Sequence, residues 1–484
     1  MMGQTEERML FRSIEYNKNH HPEQTAFLLR DGNQLRPVTH AAFFHQVAGC
    51  RAHFLPLGFH RVGILGSNSY EWICNAFGIL AAEITVAMLD PLLPEEDLLS
   101  AVRRTDLDLL VIDEALPQLW DLIGSRMPQI ALSHYWREPE DSAIQENTEN
   151  WKEGDAIFFS SGTSQNSKAV VTPTSSIAGH AAAQKDLVVY CEGDVVLHPL
   201  PYHHSYGFAM LCFYHHVNCR IMISSMKNLL SDVRKIKPDR IVLVPSAVEF
   251  LLKKNALSNG PKSIMVSGSR FPNELAASVR SLGLIAQNHY GSSELPCGIG
   301  DNLPQDDVDV LTLHPFVKIQ IADDGEILVT DPYHFREYYK DPEATAATLR
   351  GGTVHTGDMG YLDDQGRLHL IGRKKNMIVM ENGEKVFCPD VDRELSALPG
   401  VKEAAVIYTG GRLIAVVAPE KGATEESILQ SIDAYNNLQP YYRRMRDTWI
   451  YGETLPYTSS GKLHRSKLER EYLEKDSGVE STVS

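Results

Sequence analysis

A stretch rich in hydroxyl side chains, with a lysine at its end, lies between two apolar runs at residues 160–168. Hydroxyl groups, successive backbone N–H groups and a lysine can together bind the oxygens of a phosphate. The best-known phosphate loop reads G-x-x-x-x-G-K-[ST]. Counted from Gly162, the stretch has Ser167 in place of the second glycine and Ala169 in place of the hydroxyl residue. Taken alone, the stretch is compatible with two interpretations, a phosphate-binding loop and a solvated surface turn.

The segments around this stretch predict a strand on each side of it. "AIFF" precedes it, "AVVT" follows Lys168, and the first helix-start signal comes only at "TPTSS". Elsewhere, at residues 61–113 and 239–283, short β-branched runs alternate with helical patterns, which predicts βαβ units. After residue 320, short strands with DG and QG turns predict antiparallel hairpins.

The fold class that follows is α/β, with a large N-terminal domain of mixed sheets covered by helices and a small α+β C-terminal domain. We expect the large domain at residues 1–374 and the small one at residues 375–470, because the pattern changes at "GRKKN". The polar residues 471–484 are expected to form a disordered tail.

Composition excludes several classes of protein. The 484 residues are 43% hydrophobic and carry a formal net charge of −16 without a long Lys/Arg block, so no nucleic-acid partner is expected. The first residues lack the features of a signal peptide, and Glu83 and Asp90 interrupt the most apolar window, so no membrane insertion is expected. Seven scattered cysteines without a CxxC pair argue against disulfides and a zinc finger, and favour a cytoplasmic location.

Five motifs, in order along the chain, resemble those of the adenylate-forming superfamily of acyl-CoA synthetases, adenylation domains and luciferases. "SSGTSQNSKA" is similar to that family's phosphate loop, [ST]-[ST]-G-[ST]-[ST]-G-x-P-K-G, and "NHYGSSE" to its Y-G-x-[ST]-E motif. "HTGDMG" resembles T-G-D, "GRKKN" the hinge motif, and "LPYTSSGKLHR" the P-x-T-x-x-G-K-x-x-R motif. The resemblance covers nearly the whole chain and is closest to members that activate fatty or aryl acids.

The resemblance implies that ATP and Mg²⁺ are used to join a carboxylic acid to AMP, with release of pyrophosphate. Because two anions must meet, the reaction requires cations and hydrogen-bond donors at the phosphates. Glu294 would hold Mg²⁺, Tyr290 would face the adenine, and Asp358 and Arg373 would contact the ribose. The positions assigned to ATP or AMP are Ser160, Ser161, Gly162, Thr163, Ser164, Lys168, Ser267, Gly268, Asn288, His289, Tyr290, Gly291, Ser292, Ser293, Asp358 and Arg373.

The same resemblance implies a second half-reaction carried out by a mobile small domain. Lys462 would first bridge the substrate carboxylate and the α-phosphate, and the expected catalytic residues are Lys462, Glu294 and His204. The small domain would then turn about Lys375, the expected hinge, so that a thiol attacks the acyl adenylate. The acceptor thiol is that of coenzyme A or of the phosphopantetheine on an acyl carrier protein, and the sequence leaves this choice open.

The substrate is expected to be an apolar small-molecule acid. His204, in "LPYHHSYGF", matches the family's histidine beside the acyl pocket, and Tyr202, Phe208 and Leu295 are expected to line that pocket with it. Members that activate α-amino acids usually carry an aspartate shortly after this histidine, and "SYGFAMLCFYHH" has none. A fatty or an aryl acid is therefore favoured.

Four histidines close together, His203, His204, His215 and His216, raise the question of a metal site. A carboxylate ligand is missing from this fragment and the family uses no zinc, so no metal is expected there.

The phosphate loop departs from the family pattern at three positions. Gln165 and Ala169 replace glycine and Ser167 replaces proline, and glycine matters where φ is positive or where the backbone approaches a phosphate. A degenerate, non-catalytic nucleotide-binding relative is therefore an alternative to an active enzyme. An adenylation enzyme that serves only a carrier protein and a luciferase-like enzyme are further alternatives, because they share the adenylation step.

Overall fold

The computed structural model describes residues 9–32, 34–124, 126–133, 148, 151–160, 167–184, 190, 192–258, 260–380, 383–457 and 463–476. The chain forms two compact units. The first runs to Thr356 and includes Tyr361–Leu370, and the second contains Gly357–Gly360 and the chain from Ile371 onwards.

The helices arise from amphipathic or wholly apolar stretches, several of which begin at a capping residue. Ser69 accepts a hydrogen bond from the Trp72 N–H at the start of a helix whose residues are almost all buried. The α-helices are α1 Leu10–His20, α2 His40–Phe54, α3 Tyr70–Ala81, α4 Glu95–Arg104, α5 Pro117–Gly124, α6 Thr174–Gln184, α7 Ser205–His216, α8 Leu229–Ile236, α9 Pro245–Lys253, α10 Asn273–Arg280, α11 Pro342–Thr348, α12 Cys388–Ser396, α13 Glu425–Leu438 and α14 Arg465–Asp476.

The strands are rich in the β-branched and aromatic residues that pack well on a pleated surface. They are β1 Thr25–Asp31, β2 Gln34–Thr39, β3 Arg61–Leu65, β4 Thr85–Leu89, β5 Leu109–Ile112, β6 Gln129–Ala131, β7 Asp155–Phe159, β8 Ala169–Pro173, β9 Val195–His198, β10 Arg220–Ile223, β11 Arg240–Leu243, β12 Ser263–Val266, β13 Ile285–Ser292, β14 Leu295–Asp301, β15 Val310–Leu313, β16 Lys318–Ile321, β17 Glu326–Thr330, β18 Glu337–Tyr338, β19 Leu349–Arg350, β20 Thr353–Leu362, β21 Leu368–Arg373, β22 Met377–Val379, β23 Lys385–Phe387, β24 Val401–Thr409, β25 Arg412–Pro419 and β26 Asp447–Ile450.

The largest sheet changes from parallel to antiparallel along its width. Its strand order is β16-β17-β20-β21-β15-β14-β13-β12-β11-β9-β10-β1-β2, with β19 beside β20. The strands β10, β9, β11, β12 and β13 pair in parallel, as the βαβ pattern predicts, whereas β13, β14 and β15 pair antiparallel. Ligands of such sheets bind beyond the carboxyl ends of the parallel strands, where β12 ends just before Ser267.

The second sheet carries the hydroxyl-rich segment. Its order is β18-β8-β7-β4-β3-β5-β6, and β7 and β8 are antiparallel, which confirms the predicted strand–loop–strand arrangement. The main apolar core of the first unit includes the fully buried side chains of Trp72, Phe158, Phe208 and Tyr214. The predicted hairpin of β16 and β17 is also antiparallel.

The second unit is α+β, with the three-stranded sheet β24-β25-β26 and the two-stranded sheet β22-β23. Side chains of α12, α13 and this sheet form its core, in which Val391, Val417 and Ile432 are buried. The predicted class of mixed sheets with a small α+β unit is therefore confirmed.

The prediction of a disordered tail at residues 471–484 is wrong for the first part of that range, because α14 continues to Asp476. Tyr472 is buried and its hydroxyl donates to Asp447 Oδ2 at 2.5 Å. Only Leu468 and Tyr472 of this polar helix are buried, so local composition gave little sign of it. Residues 477–484 lie outside the described residues.

Candidate active site

The strands on either side of the hydroxyl-rich loop are joined at its base by Ser160 and Lys168. The Ser160 N–H donates to the Lys168 carbonyl at 3.0 Å, and the Lys168 N–H donates to Ser160 Oγ at 2.9 Å. Arg104 of α4, which the sequence did not single out, donates to the Ser167 carbonyl at 2.5 Å. The other predicted loop residues, Ser161, Gly162, Thr163 and Ser164, lie outside the described residues.

The departure from glycine at Ala169 causes no backbone strain. Ala169 is the first residue of β8 and pairs with Phe159 of β7. Neither Ser167 nor Ala169 is among the described non-glycine residues with positive φ. One physical reason to expect a degenerate loop is therefore removed, while Gln165 lies outside the described residues.

Lys168, Tyr338 and Glu294 contact one another in series and are called the Lys–Tyr–Glu cluster below. Lys168 Nζ lies 4.2 Å from the centroid of the Tyr338 ring, and the Tyr338 hydroxyl donates to Glu294 Oε1 at 2.6 Å. Burial, together with the neighbouring Glu294 carboxylate, raises the pKa of Tyr338, so the phenol stays a neutral donor. The second oxygen of Glu294 can serve a hard cation such as Mg²⁺.

The short strand β18 brings Tyr338 to this position. Tyr338 pairs with Val170 of β8, and the nearby Phe335 N–H donates to the Glu294 carbonyl at 2.9 Å. These bonds fix the segment carrying Glu294 beside the strand that follows Lys168. Sequence reasoning missed Tyr338, because a tyrosine in a two-residue strand carries no signal until its pairing partner is known.

Residues 288–293 lie along β13 and directly after it, and they differ in how deeply they are buried. Tyr290 is half-buried and packs in an apolar cluster that contains Leu295. Asn288 and His289 are buried, and their side chains donate to backbone carbonyls of neighbouring segments. Gly291, Ser292 and Ser293 are half-buried as well. Contact of these residues with ATP remains a prediction.

Ser267 and Gly268 lie where β12 ends, and Gly268 has a φ of +85°. Tyr206 of α7 reaches this point: it is hydrogen-bonded to Ser267, and its hydroxyl lies 2.9 Å from Met265 Sδ. Burial raises the pKa of Tyr206. Tyr206, like Tyr338, is a residue that the motifs did not identify.

The residues expected to line the acyl pocket occupy two environments. Tyr202 and Phe208 are fully buried, and both rings contact Trp72. His204 is exposed directly before α7, and its carbonyl accepts the Phe208 N–H at 3.0 Å. Two of these residues thus belong to the aromatic core behind His204, and their contact with an acyl group remains a prediction.

The histidine-rich segment receives a carboxylate from a distant part of the chain. Asp90 Oδ1, directly after β4, lies 3.4 Å from His203 Nε2. One ligand atom each from Asp90, His203 and His204 lie within 4.8 Å of one another. The histidine fragment itself lacks a carboxylate, as the sequence shows, but the fold supplies one from outside the fragment. His215 packs against the His40 ring instead.

In the second unit, Asp358 and Arg373 form an ion pair. Arg373 Nε donates to Asp358 Oδ1 at 2.8 Å, with Asp358 buried and Arg373 47% exposed. The two residues come from β20 and β21, which are neighbours in the sheet. The structure therefore brings together the two side chains that were predicted to contact the ribose.

The expected hinge residue, Lys375, is exposed in a 3₁₀ turn directly after β21. Just before it, Gly372 has a φ of +147°, and a Cβ there would lie 2.0 Å from Phe387 Cζ, so this position requires glycine. Lys462 lies outside the described residues. The hinge and catalytic roles remain predictions.

A mixed-sheet α/β unit, a small α+β unit, and a lysine and a glutamate held beside a hydroxyl-rich loop define an enzyme class that handles nucleotide phosphates. The chain belongs to the AMP-binding enzyme family, whose model matches residues 14–339.

Curated relatives and solved structures are similar over most of the chain. The 2-succinylbenzoate–CoA ligase of Bacillus cereus is 24% identical, over 92% of this chain and 97% of its own. The ligase of the same name from Listeria monocytogenes is 27% identical, over 66% of this chain and 70% of its own. The o-succinylbenzoate CoA synthetase of Bacillus subtilis, solved with its acyl-adenylate intermediate, has a TM-score of 0.79 at 19% identity and covers 94% of this chain and 97% of its own. ATP-bound MatB of Rhodopseudomonas palustris also has a TM-score of 0.79, at 20% identity, over 96% of this chain and 99% of its own.

These findings confirm the predicted AMP-forming acid–thiol ligase that acts on a small-molecule acid. They also confirm ATP and Mg²⁺ as cofactors, with a thiol such as that of coenzyme A as acceptor. Within the part of the chain that the structure describes, no helix is both long and apolar enough to span a membrane.

Proposed function

We propose that this chain activates an aryl carboxylic acid with ATP and transfers it to coenzyme A, and that 2-succinylbenzoate is the first acid to test. Several curated 2-succinylbenzoate–CoA ligases match more than nine-tenths of the chain. The helix α7, which follows His204, contains no acidic side chain to pair with the ammonium group of an α-amino acid.

The observation that carries the proposal is the Lys–Tyr–Glu cluster. It holds an ammonium group and a carboxylate on two sides of one buried tyrosine, directly after the hydroxyl-rich loop. A cation for phosphate oxygens and an oxygen ligand for Mg²⁺ are the two groups that a triphosphate requires. The residues present therefore fit Mg²⁺-ATP.

In the first half-reaction, a carboxylate oxygen of the acid attacks the α-phosphorus of ATP, and the bond from that phosphorus to pyrophosphate breaks. Lys168 binds the β- and γ-phosphates, and Lys462 brings positive charge to the carboxylate and the α-phosphate. Glu294 holds Mg²⁺, which, when bound, stabilises negative charge on the leaving pyrophosphate.

In the second half-reaction, the thiol sulfur attacks the acyl carbon, the bond from that carbon to the AMP oxygen breaks, and the thiol proton goes to solvent. Asp358 accepts the ribose hydroxyls, with Arg373 holding its carboxylate in place. Lys375 provides the hinge between the two half-reactions. We favour coenzyme A over an acyl carrier protein because the relatives are CoA ligases, and a cytoplasmic location would give access to it.

A pyrophosphate-exchange assay tests this function. The full-length protein is supplied with ATP, Mg²⁺ and, in turn, 2-succinylbenzoate, other aryl acids, fatty acids and α-amino acids. We expect exchange to be fastest with 2-succinylbenzoate or a close aryl analogue, and a thioester to form when coenzyme A is added.

Exchange only with fatty or α-amino acids would refute the aryl substrate. Thioester formation only on a phosphopantetheine-bearing carrier protein would refute coenzyme A. Exchange with no acid, alongside a working control ligase, would favour the degenerate relative.

A further inference from the structure

A buried group of histidines and one carboxylate lies inside the first unit, and the reaction above makes no use of it as a group. One ligand atom each from His289, Asp301 and His314 lie within 4.8 Å of one another. The exposed fractions of these residues are only 3%, 9% and 5%. Burying an ionisable group reduces the stability of the fold unless the group is paired, hydrogen-bonded or bound to a metal.

Neighbouring antiparallel strands hold these three side chains. His289 of β13 and Asp301 of β14 are directly opposed residues, so their side chains leave the sheet on the same face. His314 follows β15, and its N–H donates to the Ile299 carbonyl of β14 at 2.9 Å. Ligands on paired strands are positioned more exactly than ligands on loops.

The hydrogen bonds of His289 leave one ring nitrogen available as a ligand. His289 Nε2 lies 2.8 Å from the Cys297 carbonyl, which can only accept, so Nε2 carries the proton. Nδ1 then has a lone pair, and it is buried without a partner among the described residues. Gly298, with a φ of +76°, allows this ring to lie against the backbone, since a Cβ there would be 2.0 Å from Nε2. Metal-binding histidines commonly donate their other N–H to a backbone carbonyl in this way.

The carboxylate of Asp301 is oriented as a metal ligand would be. Its Oδ2 accepts from Gln287 Nε2 at 3.0 Å and its Oδ1 accepts from the Leu303 N–H at 2.9 Å. A bound cation would replace the hydration that this carboxylate loses on burial.

A third imidazole, that of His180 on α6, and the side-chain amide of Gln184 lie beside the group, and Gln184 Nε2 is 3.1 Å from His314 Nε2 and 3.2 Å from His314 Nδ1. His180 Nε2 donates to the Gly298 carbonyl at 2.7 Å, its Nδ1 is buried without a partner among the described residues, and its ring centroid lies 5.4 Å from that of His314. A neutral imidazole is the form that binds a metal.

We propose that His289, Asp301 and His314 bind a divalent transition-metal ion, for which Zn²⁺ is the best match, and that His180 holds the water completing its coordination. Two imidazole nitrogens and one carboxylate oxygen suit Zn²⁺ rather than Mg²⁺, which prefers oxygen ligands. Tetrahedral zinc needs ligand atoms about 3.4 Å apart, so binding would draw the three side chains together. The site is independent of the proposed substrate.

Metal titration of the full-length protein tests the site without ATP or acid. After treatment with a chelator, the protein is titrated calorimetrically with Zn²⁺, and with Co²⁺ while its visible d–d absorption is recorded. We expect one equivalent of each metal to bind, with the intense absorption of a tetrahedral Co²⁺ site that has nitrogen and oxygen ligands. His314→Gln and Asp301→Asn should each weaken binding by at least about tenfold.

Two control variants separate this site from other histidines. Asp90→Asn removes the carboxylate beside His203, and His198→Gln alters a buried histidine with the same type of carbonyl bond, to Gly207 at 2.8 Å. Both should bind Zn²⁺ as the wild type does. If the buried variants fail to fold, the Co²⁺ spectrum of Asp90→Asn still tests the location of the metal. It should equal the spectrum of the wild type if the metal does not bind beside Asp90. No Zn²⁺ binding by the wild type, or loss of binding in Asp90→Asn, would overturn the proposal.

Discussion

Tyr338 links the two charged residues that the proposed nucleotide site requires. Its hydroxyl holds one oxygen of Glu294, and its ring lies beneath the Lys168 ammonium group. A carboxylate that is already oriented loses less conformational entropy when it binds a metal, as partner residues of known metal ligands show. The orientation of Glu294 therefore depends on a residue outside every recognised motif.

Replacing Tyr338 by phenylalanine would keep the ring and remove the hydroxyl. We expect Tyr338→Phe to raise about tenfold the Mg²⁺ concentration that gives half-maximal pyrophosphate exchange, because a hydrogen bond to a charged group contributes about 1.5–3 kcal/mol. The rate at saturating Mg²⁺ should change less. Initial exchange rates at varied Mg²⁺ measure both quantities.

Tyr435→Phe is a matched control in the second unit, since the Tyr435 hydroxyl donates to Glu394 Oε2 at 2.7 Å. This variant should lose a similar amount of stability and keep the Mg²⁺ dependence of the wild type. If the two variants have the same Mg²⁺ dependence, Tyr338 only supports the fold.

Some site residues could be predicted from the sequence and others could not. Lys168 and Glu294 lie in local motifs whose residue types and spacing carry the chemistry. Tyr338 and Asp90 reach their partners only through the pairing of segments far apart in sequence. Local patterns do not encode such pairings, so these two residues were missed.

At the level of helices and strands, the sequence predicted those with a clear period. The βαβ alternation and the β7–loop–β8 arrangement follow from local hydrophobic patterns, and both are present. The pairing of β18 with β8 and the full length of α14 depend on long-range packing, which a local pattern does not contain. Tyr472, for instance, stabilises α14 through Asp447 of β26.

The end of β21 gives a prediction about the segment that carries the expected hinge. We expect Gly372→Ala to lower the melting temperature of the second unit, because the new Cβ adds a clash with Phe387 to the cost of a backbone conformation that side chains rarely adopt, about 1–3 kcal/mol. Differential scanning calorimetry measures the shift.

Gly366→Ala is the matched control, since Gly366 has a φ of +74° and a Cβ there would meet nothing within 4 Å. Gly366→Ala should lower stability only through the strain of the backbone. Phe387→Leu should partly rescue Gly372→Ala by making room for the new methyl group. Equal shifts for the two glycine variants would show that the contact with Phe387 does not matter.

For the whole molecule, the family could be recognised from the order of five weak motifs over nearly the entire chain. The acid could not be identified in the same way. Tyr202 and Phe208, which were expected to line its pocket, pack in the aromatic core against Trp72. Substrate choice depends on the shape of a pocket, and that shape arises from packing rather than from the motifs that bind ATP.

The identity of the nucleotide product tests the central claim most directly. The full-length protein is incubated with ATP, Mg²⁺ and 2-succinylbenzoate without a thiol, and the products are identified by mass spectrometry. We expect the wild type to form an acyl adenylate and pyrophosphate, and Lys462→Ala to bind ATP but form little adenylate. Formation of ADP and phosphate in place of the adenylate, or adenylate formation by Lys462→Ala at the wild-type rate, would contradict the account.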